Sequence, residues 1–379
     1  MEVSKKVFIV GGTGSLGRRA IEIVRKLNYE LVGVSGFRNY ELLNSIAEEF
    51  KPKFILLNKD FIDKIVFKDG FVLPIEKLKE GIGESQPDIV LFLASNITSL
   101  KAIEFCLSHG IRIGIANKES IIAGGEILFE GKEFGNTVLP VDSETAAIFQ
   151  IIEGVRRDEI ENVILTASGG PLFGFSREGL KDVKVNVVLE HPNWHMGNKI
   201  TVDSSNLVNK AFEVIETHFL FNIPYSRIQA IVHRESIIHA MVEFIDGEFK
   251  AVLSVPDMSI PIQYALTYPE RKTTHIKHLD FLELQTLSFY EIDKTLFPLF
   301  DILLNYAMLG GSFLPSIVAI DEVLVESFLK EEIAFLDIEH IFIDFLNTIE
   351  YRKIDSLDEV EDVYNNTKKR ISEFIRRRL

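Results

Sequence analysis

The chain has 379 residues, 46% hydrophobic and 26% charged, and its 41 basic and 56 acidic side chains leave a formal net charge of −15. This is a globular composition, and the length exceeds one ordinary core, so two or three domains are expected. The acidic balance excludes a general affinity for nucleic acid or anionic membrane, though not a locally basic pocket for one anionic substrate. A single cysteine, Cys106, leaves neither a disulfide framework nor a thiolate zinc site within one chain. Its helical spacing with Ile103 and Leu107 reads as a small buried hydrophobe. No stretch approaches the roughly 20 apolar residues of a membrane span. Residues 1–10 enter a strand-like run with no cleavage signal, so a soluble cytoplasmic protein is expected.

Residues 7–142 alternate short β-rich runs (7–10, 31–35, 54–57, 89–94, 111–116 and 137–141) with helix-period segments such as 16–26, 40–50 and 99–108. That alternation predicts an α/β domain over 1–142, built on a doubly wound parallel sheet. Gly12-Thr13-Gly14-Ser15-Leu16-Gly17 follows the first strand directly and opens a helix. Glycines so placed let the backbone turn tightly and seat a pyrophosphate on the helix N-terminus, making the domain Rossmann-like. A purely structural tight turn is the alternative. The second strand ends in Ser35-Gly36-Phe37-Arg38-Asn39, without the acid that would hold a ribose 2′-hydroxyl. Arg38 can pair with a 2′-phosphate, which favours NADP over NAD, unless it is an ordinary surface residue.

Asn117-Lys118-Glu119-Ser120 follows the strand at 111–116, on the carboxyl edge where such sheets bind ligands. Lys118 suits polarising a substrate oxygen, and Asn117 and Glu119 suit the nicotinamide ribose; a polar turn starting a helix is the plainer reading. Asp142-Ser143-Glu144 ends the next strand, where an acid and a serine cap also simply stabilise a helix N-terminus.

Residues 143–275 mix helices (144–153, 206–221) with long strand runs (162–167, 236–244, 248–255), which predicts a central α+β domain with an antiparallel sheet. Thr166-Ala167-Ser168-Gly169-Gly170-Pro171 ends one strand and offers the Ser168 hydroxyl to an anion, or is only a Gly-Pro loop. The densest polar run is 191–213, from His191-Pro192-Asn193-Trp194 to Asn209-Lys210-Ala211-Phe212-Glu213. Groups this varied are poor core material and suit gripping a phosphorylated, hydroxyl-rich molecule beside a metal. Ser204, Asn209 and Lys210 complete a phosphate pocket with Ser168. Asn209 and Lys210 lie four and three residues before Glu213, so the three share a helix face. Asp142, Glu144 and Glu213 form an all-oxygen ligand set for a hard cation, Mg²⁺ or Mn²⁺. Trp194 and Met196 sit among loop-forming neighbours and suit covering a substrate. Residues 276–293 carry no sustained period and read as a linker. Residues 294–379 are helical, ending in cations that suit a helix C-terminus and a solvated face.

Taken in order, these motifs resemble the 1-deoxy-D-xylulose 5-phosphate reductoisomerase family over nearly the whole chain. Ser236-Ile237-Ile238-His239 and Pro256-Asp257-Met258 extend the match. The resemblance implies an NADPH-dependent rearrangement and reduction of 1-deoxy-D-xylulose 5-phosphate to 2-C-methyl-D-erythritol 4-phosphate, by a homodimer. By the same resemblance Asp142, Glu144 and Glu213 hold the metal, and Lys118, Ser143, Ser168, His191, Ser204, Asn209 and Lys210 hold the substrate. Thr13, Gly14, Ser15, Leu16, Gly36, Arg38, Asn39, Asn117, Glu119 and Gly197 contact NADPH. Departures from the family pattern are the inserted Phe37, His195 for the usual Ser in a mobile loop, Ser205 and the Ala211-Phe212 pair for smaller or different residues, His233-Arg234-Glu235 for His-Pro-Gln, and Ile320-Asp321-Glu322 for Ala-Asn-Glu. The rival readings are an NADP-dependent dehydrogenase of another small phosphate or semialdehyde, which needs no metal, and a non-enzymatic NADP-binding scaffold, which needs a broken acid set.

Overall fold

A computed structural model of the chain describes residues 4–194 and 196–378; His195 lies outside the described residues. They pack as two compact units. The first takes the residues up to Ser120, Phe134–Ala146 and Asp257–Ile276, and the second takes Ile121–Glu133, the described part of Ala147–Pro256, and the chain from Lys277 onward.

In the first unit seven strands form one sheet: β1 (Lys6–Val10), β2 (Glu30–Ser35), β3 (Phe54–Leu57), β4 (Phe71–Pro74), β5 (Ile89–Phe92), β6 (Arg112–Ile115) and β7 (Val138–Pro140). Their spatial order is β4-β3-β2-β1-β5-β6-β7, and every pair is parallel. The strands read as continuous apolar runs because helices cover both faces; Val7, Phe8, Ile9, Ile55 and Leu91 have no exposed surface. The chain reverses direction across the sheet between β1 and β5, and the carboxyl ends there form the crevice where such sheets bind ligands. Four helices follow β1, β2, β4 and β5 respectively: α1 (Ser15–Leu27), α2 (Tyr40–Phe50), α3 (Leu78–Ser85) and α4 (Leu100–Ser108). α1 buries Gly17, Ala20, Ile21, Ile23 and Val24, spaced along one helical stripe. Cys106 of α4 is fully buried, and the loss of solvation pushes its thiol up to about 12. Two more helices start at the carboxyl ends of β6 and β7: α5 (Lys118–Leu128) and α6 (Ser143–Ile152).

The predicted parallel sheet is present, with one strand more than expected. β4 is an edge strand whose residues are exposed or half-buried and which ends on Pro74, so it has neither a strong apolar run nor a clean alternation.

The second unit is built on a four-stranded sheet. β8 (Ile160–Ala167) is followed by α7 (Val185–Val188), α8 (Asn198–Ser205) and α9 (Val208–Phe221), then by β9 (Ile228–Val232), β10 (Ile238–Phe244) and β11 (Phe249–Leu253). The order is β11-β10-β8-β9. The sheet is mixed rather than antiparallel: β8 and β9 are joined through helices, so they pair parallel, while β10 runs antiparallel to both β8 and β11. The helix predicted over 206–221 begins at Val208. Leu207 stands at φ 63, in the left-handed region, and breaks it from α8.

After β11 the chain returns to the first unit for α10 (Ser259–Thr267). The stretch at 276–293 is largely irregular, as expected, with one short helix, α11 (Phe281–Leu284), and a bridge from Tyr290 to Val232. Four longer helices follow: α12 (Leu299–Leu309), α13 (Phe313–Leu329), α14 (Phe335–Leu346) and α15 (Leu357–Arg378). α13 is buried on nearly all sides, so it is the hydrophobic axis on which α14 and α15 pack. The cations Arg376, Arg377 and Arg378 end α15 exposed, where they offset the helix dipole. Among the described residues, no helix is long and apolar enough to cross a membrane.

Candidate active site

The glycine-rich turn lies at the carboxyl end of β1. Gly14 is the N-cap of α1; no side chain caps this terminus and its first turn holds no acid, so its amides face outward uncompensated. Gly17 leaves no room for a side chain: a Cβ there would fall 2.1 Å from the Gly11 carbonyl oxygen. The helix can press onto the turn only because this residue is glycine. Such a bare, close-packed N-terminus suits a pyrophosphate. At the end of β2, Gly36 is buried, whereas Phe37, Arg38 and Asn39 are exposed. The Arg38 guanidinium lies 5.5 Å from the Phe37 ring centroid, and the Asn39 side chain caps α2 by accepting from the Leu42 amide at 3.0 Å. Arg38 is therefore held at the sheet edge with its charge in solvent.

On the other side of β1, Asn117 precedes α5. Its amide donates to the Asn96 carbonyl at 2.8 Å and accepts from the Ser120 amide at 2.9 Å, so this buried residue also builds the turn. Lys118 is buried and donates to Asp142 at 2.8 Å. An ion pair taken this far from water repays little in stability, so its value is more readily chemical than structural. Glu119 is buried next to it. Ser143 starts α6 and donates to Glu144 at 2.5 Å, while carboxylate oxygens of Asp142 and Glu144 lie within 4.8 Å of one another. Two hard oxygen donors at that spacing, one buried and one half-buried, fit a Mg²⁺ or Mn²⁺ ion.

In the second unit the polar run is distributed around the carboxyl end of β8. Ser168 Oγ meets His191 Nε2 at 2.9 Å and accepts from the Gly170 amide at 3.1 Å. His191 Nδ1 accepts from the amides of Asn193 and Trp194 at 3.2 and 3.0 Å. Because Nδ1 is an acceptor, the proton sits on Nε2 and is donated to Ser168, which leaves the serine hydroxyl hydrogen for another acceptor. Burial, reinforced by the nearby charge of Arg234, pulls the imidazole down to about 4, so it is neutral at physiological pH. Gly169 and Gly170 both take positive φ, and a Cβ on Gly170 would fall 2.7 Å from the Ser204 carbonyl oxygen. The Ser168 loop is thus seated against α8.

On α9, Lys210 and Glu213 are buried and paired, Lys210 also donates to the Thr166 carbonyl at 2.5 Å, and Asn209 donates to Glu213 Oε1 at 2.5 Å. The three residues do share one face, as their spacing predicts. Ser204 is half-buried on α8, and Gly197 is the N-cap of that helix. Trp194 is half-buried with its ring centroid 6.0 Å from that of His239, which itself meets Ser254 Oγ at 2.8 Å.

Three stretches of the chain match family models: residues 7–125 match 1-deoxy-D-xylulose 5-phosphate reductoisomerase, 138–221 its C-terminal domain, and 253–370 a DXP reductoisomerase C-terminal domain. The chain is 41% identical to the 1-deoxy-D-xylulose 5-phosphate reductoisomerase of Caldanaerobacter subterraneus subsp. tengcongensis, over 97% of this chain and 98% of that one. The chain belongs to the 1-deoxy-D-xylulose 5-phosphate reductoisomerase family. With the Clostridium perfringens reductoisomerase it shares 40% identity over 94% of this chain and 96% of that one. Among solved structures, the Zymomonas mobilis reductoisomerase in complex with NADPH superimposes with a TM-score of 0.90 at 29% identity, covering 98% of this chain and 99% of that one. A reductoisomerase structure in complex with NADPH, fosmidomycin and magnesium gives a TM-score of 0.89 at 29% identity, covering 98% of both chains.

Around the second cluster lie polar groups that sequence reasoning did not place in a site. Asn193 donates to the Arg234 carbonyl at 2.5 Å and to Ser236 Oγ at 2.9 Å. Arg234 donates to the carbonyls of Ser168 and Gly170. In the chain Asn193 is one polar residue of the 191–213 run and Arg234 a departure from the family's His-Pro-Gln, and neither fact points to these contacts.

Proposed function

We propose that the chain is a divalent-metal-dependent, NADPH-dependent reductoisomerase. It converts 1-deoxy-D-xylulose 5-phosphate to 2-C-methyl-D-erythritol 4-phosphate in non-mevalonate isoprenoid biosynthesis. Full-length kinship with reductoisomerases at up to 41% identity carries this reading. Asp142, Glu144 and Glu213 hold Mg²⁺ or Mn²⁺ through hard carboxylate oxygens. Gly12 to Gly17 receive the NADPH pyrophosphate, Arg38 faces the 2′-phosphate, and Gly36, Asn39, Asn117, Glu119 and Gly197 complete the cofactor contacts. When bound, the cation supplies Lewis-acid polarisation of adjoining substrate oxygens and the reduced nicotinamide supplies the reducing equivalents.

Lys118 adds positive charge at the substrate oxygens, and its buried pairing with Asp142 keeps that charge fixed before substrate arrives. Ser168, Ser204, Asn209 and Lys210 grip the phosphate, with Ser143 and His191 beside it. No bond of the phosphate changes, so its binding energy goes into positioning the reacting carbons. His191 binds in its neutral form and orients Ser168. Trp194 covers the substrate and excludes water. The protein acts in the cytoplasm as a homodimer; the exposed Phe249, on the open edge strand β11 of the second sheet, supports the dimer.

The test is NADPH oxidation followed spectrophotometrically with 1-deoxy-D-xylulose 5-phosphate. Turnover is expected with Mg²⁺ or Mn²⁺ and is abolished by EDTA. Turnover that persists in the chelated protein would instead identify a simple dehydrogenase.

A further inference from the structure

Arg234 stands just beyond β9, at a position outside every group assigned above. Its guanidinium donates at 2.6 Å to the Ser168 carbonyl and at 2.8 Å to the Gly170 carbonyl. It also lies 4.8 Å from the Phe173 ring centroid, a stacking distance that keeps the guanidinium plane in place. Its own carbonyl accepts from Asn193, next in chain to Trp194. One residue therefore touches both the loop after β8 and the base of the loop that carries Trp194.

A trans peptide is planar, with its carbonyl and N–H pointing opposite ways. Holding the Ser168 carbonyl on a cation consequently turns the Gly169 N–H away from Arg234. Gly169 and Gly170 stand at φ 77 and 65 without a Cβ, so within the loop only the Gly170 amide's bond to Ser168 Oγ opposes its rearrangement. Groups outside the loop complete its restraint, and Arg234 Nη1 alone donates to two of its carbonyls at once. The same positive charge sits close enough to His191 to help keep the imidazole neutral, and hence as a one-proton donor to Ser168.

We infer that Arg234 is a positioning residue for the substrate's phosphate: it clamps the Ser168–Gly170 loop in the anion-receiving conformation and adds positive potential behind it. The proposal rests on the reading of that loop as a phosphate seat. It assigns Arg234 no contact with substrate, so its signature is in affinity for the phosphoryl group rather than in the chemical step.

The experiment compares Arg234→Gln, Arg234→Lys, Ser168→Ala and the Ser168→Ala/Arg234→Gln double variant, each as the full-length holoenzyme. The readouts are kcat and KM for 1-deoxy-D-xylulose 5-phosphate, inhibition by inorganic phosphate, NADPH affinity, melting temperature and the His191 pKa by NMR. Arg234→Gln is expected to raise KM on the order of tenfold, the scale of one charge-assisted contact. It should weaken phosphate inhibition in step, raise the His191 pKa, and leave kcat and NADPH affinity near wild type. Arg234→Lys keeps the charge and a multiply donating nitrogen but loses the planar group that stacks on Phe173, and should recover part of the loss. The double variant should be less than additive, because both changes act on one loop. A wild-type KM in Arg234→Gln beside a raised KM in Ser168→Ala would overturn the proposal and spare the phosphate seat. An unchanged KM in Ser168→Ala would remove the seat itself, and the proposal with it. Parallel loss of kcat, NADPH affinity and melting temperature in both Arg234 variants would make the residue a brace of the fold only, which also overturns it.

Discussion

A buried acid–base pair and a neutral imidazole set the residue-scale chemistry. Glu213 is held by Lys210 and Asn209 within its own helix, so its carboxylate is charged and fixed. Replacing one oxygen by an amide in Glu213→Gln preserves shape and removes the charge that the proposed metal site needs. We expect metal-dependent turnover to fall by roughly 10²-fold or more, the several kcal/mol that a Lewis-acid site contributes. NADPH affinity, read by isothermal titration, should stay within about twofold of wild type; an equal loss of both would contradict the assignment. His191 makes a prediction about pH. Its folded value of about 4 lies below the ordinary 6.5, so between those limits the unfolded chain binds the extra proton. Stability from this group is thus complete above pH about 6.5 and is lost as pH falls toward about 4. His191→Gln should flatten the fall in melting temperature across that window; an identical fall would show that other groups cause it.

Elements place these residues, and here the chain was most legible where one physical rule acts alone. The turn after β1 was readable because strand, glycine spacing and helix coincide, and the close approach of Gly17 to Gly11 explains the spacing. Gly17→Ala should force α1 off the turn and raise the NADPH dissociation constant about tenfold or more, measured by fluorescence titration. Unchanged binding would separate the glycine from the cofactor. The common face of Asn209, Lys210 and Glu213 was equally legible, since it follows from helix periodicity. β4 was not, because an exposed edge strand carries little apolar signal. β9 was not either: no strand was read over 228–232, where three of the five residues stay partly exposed, and without it the parallel pairing with β8 could not be foreseen. The Arg234 clamp was hidden for a related reason, being a contact between side chain and distant backbone that no motif encodes.

At the scale of the molecule, the open edge at β11 bears directly on assembly. An exposed strand with Phe249 at its edge invites pairing with a second copy. If the proposed dimer forms there, Phe249→Lys, which places a charge on that edge, is expected to shift it toward monomer in sedimentation velocity; an unmoved coefficient would count against an interface at β11. Family membership was visible in the chain because it rests on many short motifs spread over its length, and the parallel sheet because strand and helix patterns alternate through residues 7–142. Assembly is different, since it depends on which apolar residues stay outside, and composition alone is blind to that.

Cys106 gives this molecule a built-in gauge of its own unfolding. A thiol enclosed in α4 and held at about 12 is neither accessible nor ionised in the native state. Alkylating reagents can therefore reach it only when that part of the fold opens. Because it is the chain's sole sulfhydryl, the labelling rate at rising denaturant reads out the opening free energy of the parallel-sheet unit without any engineered probe.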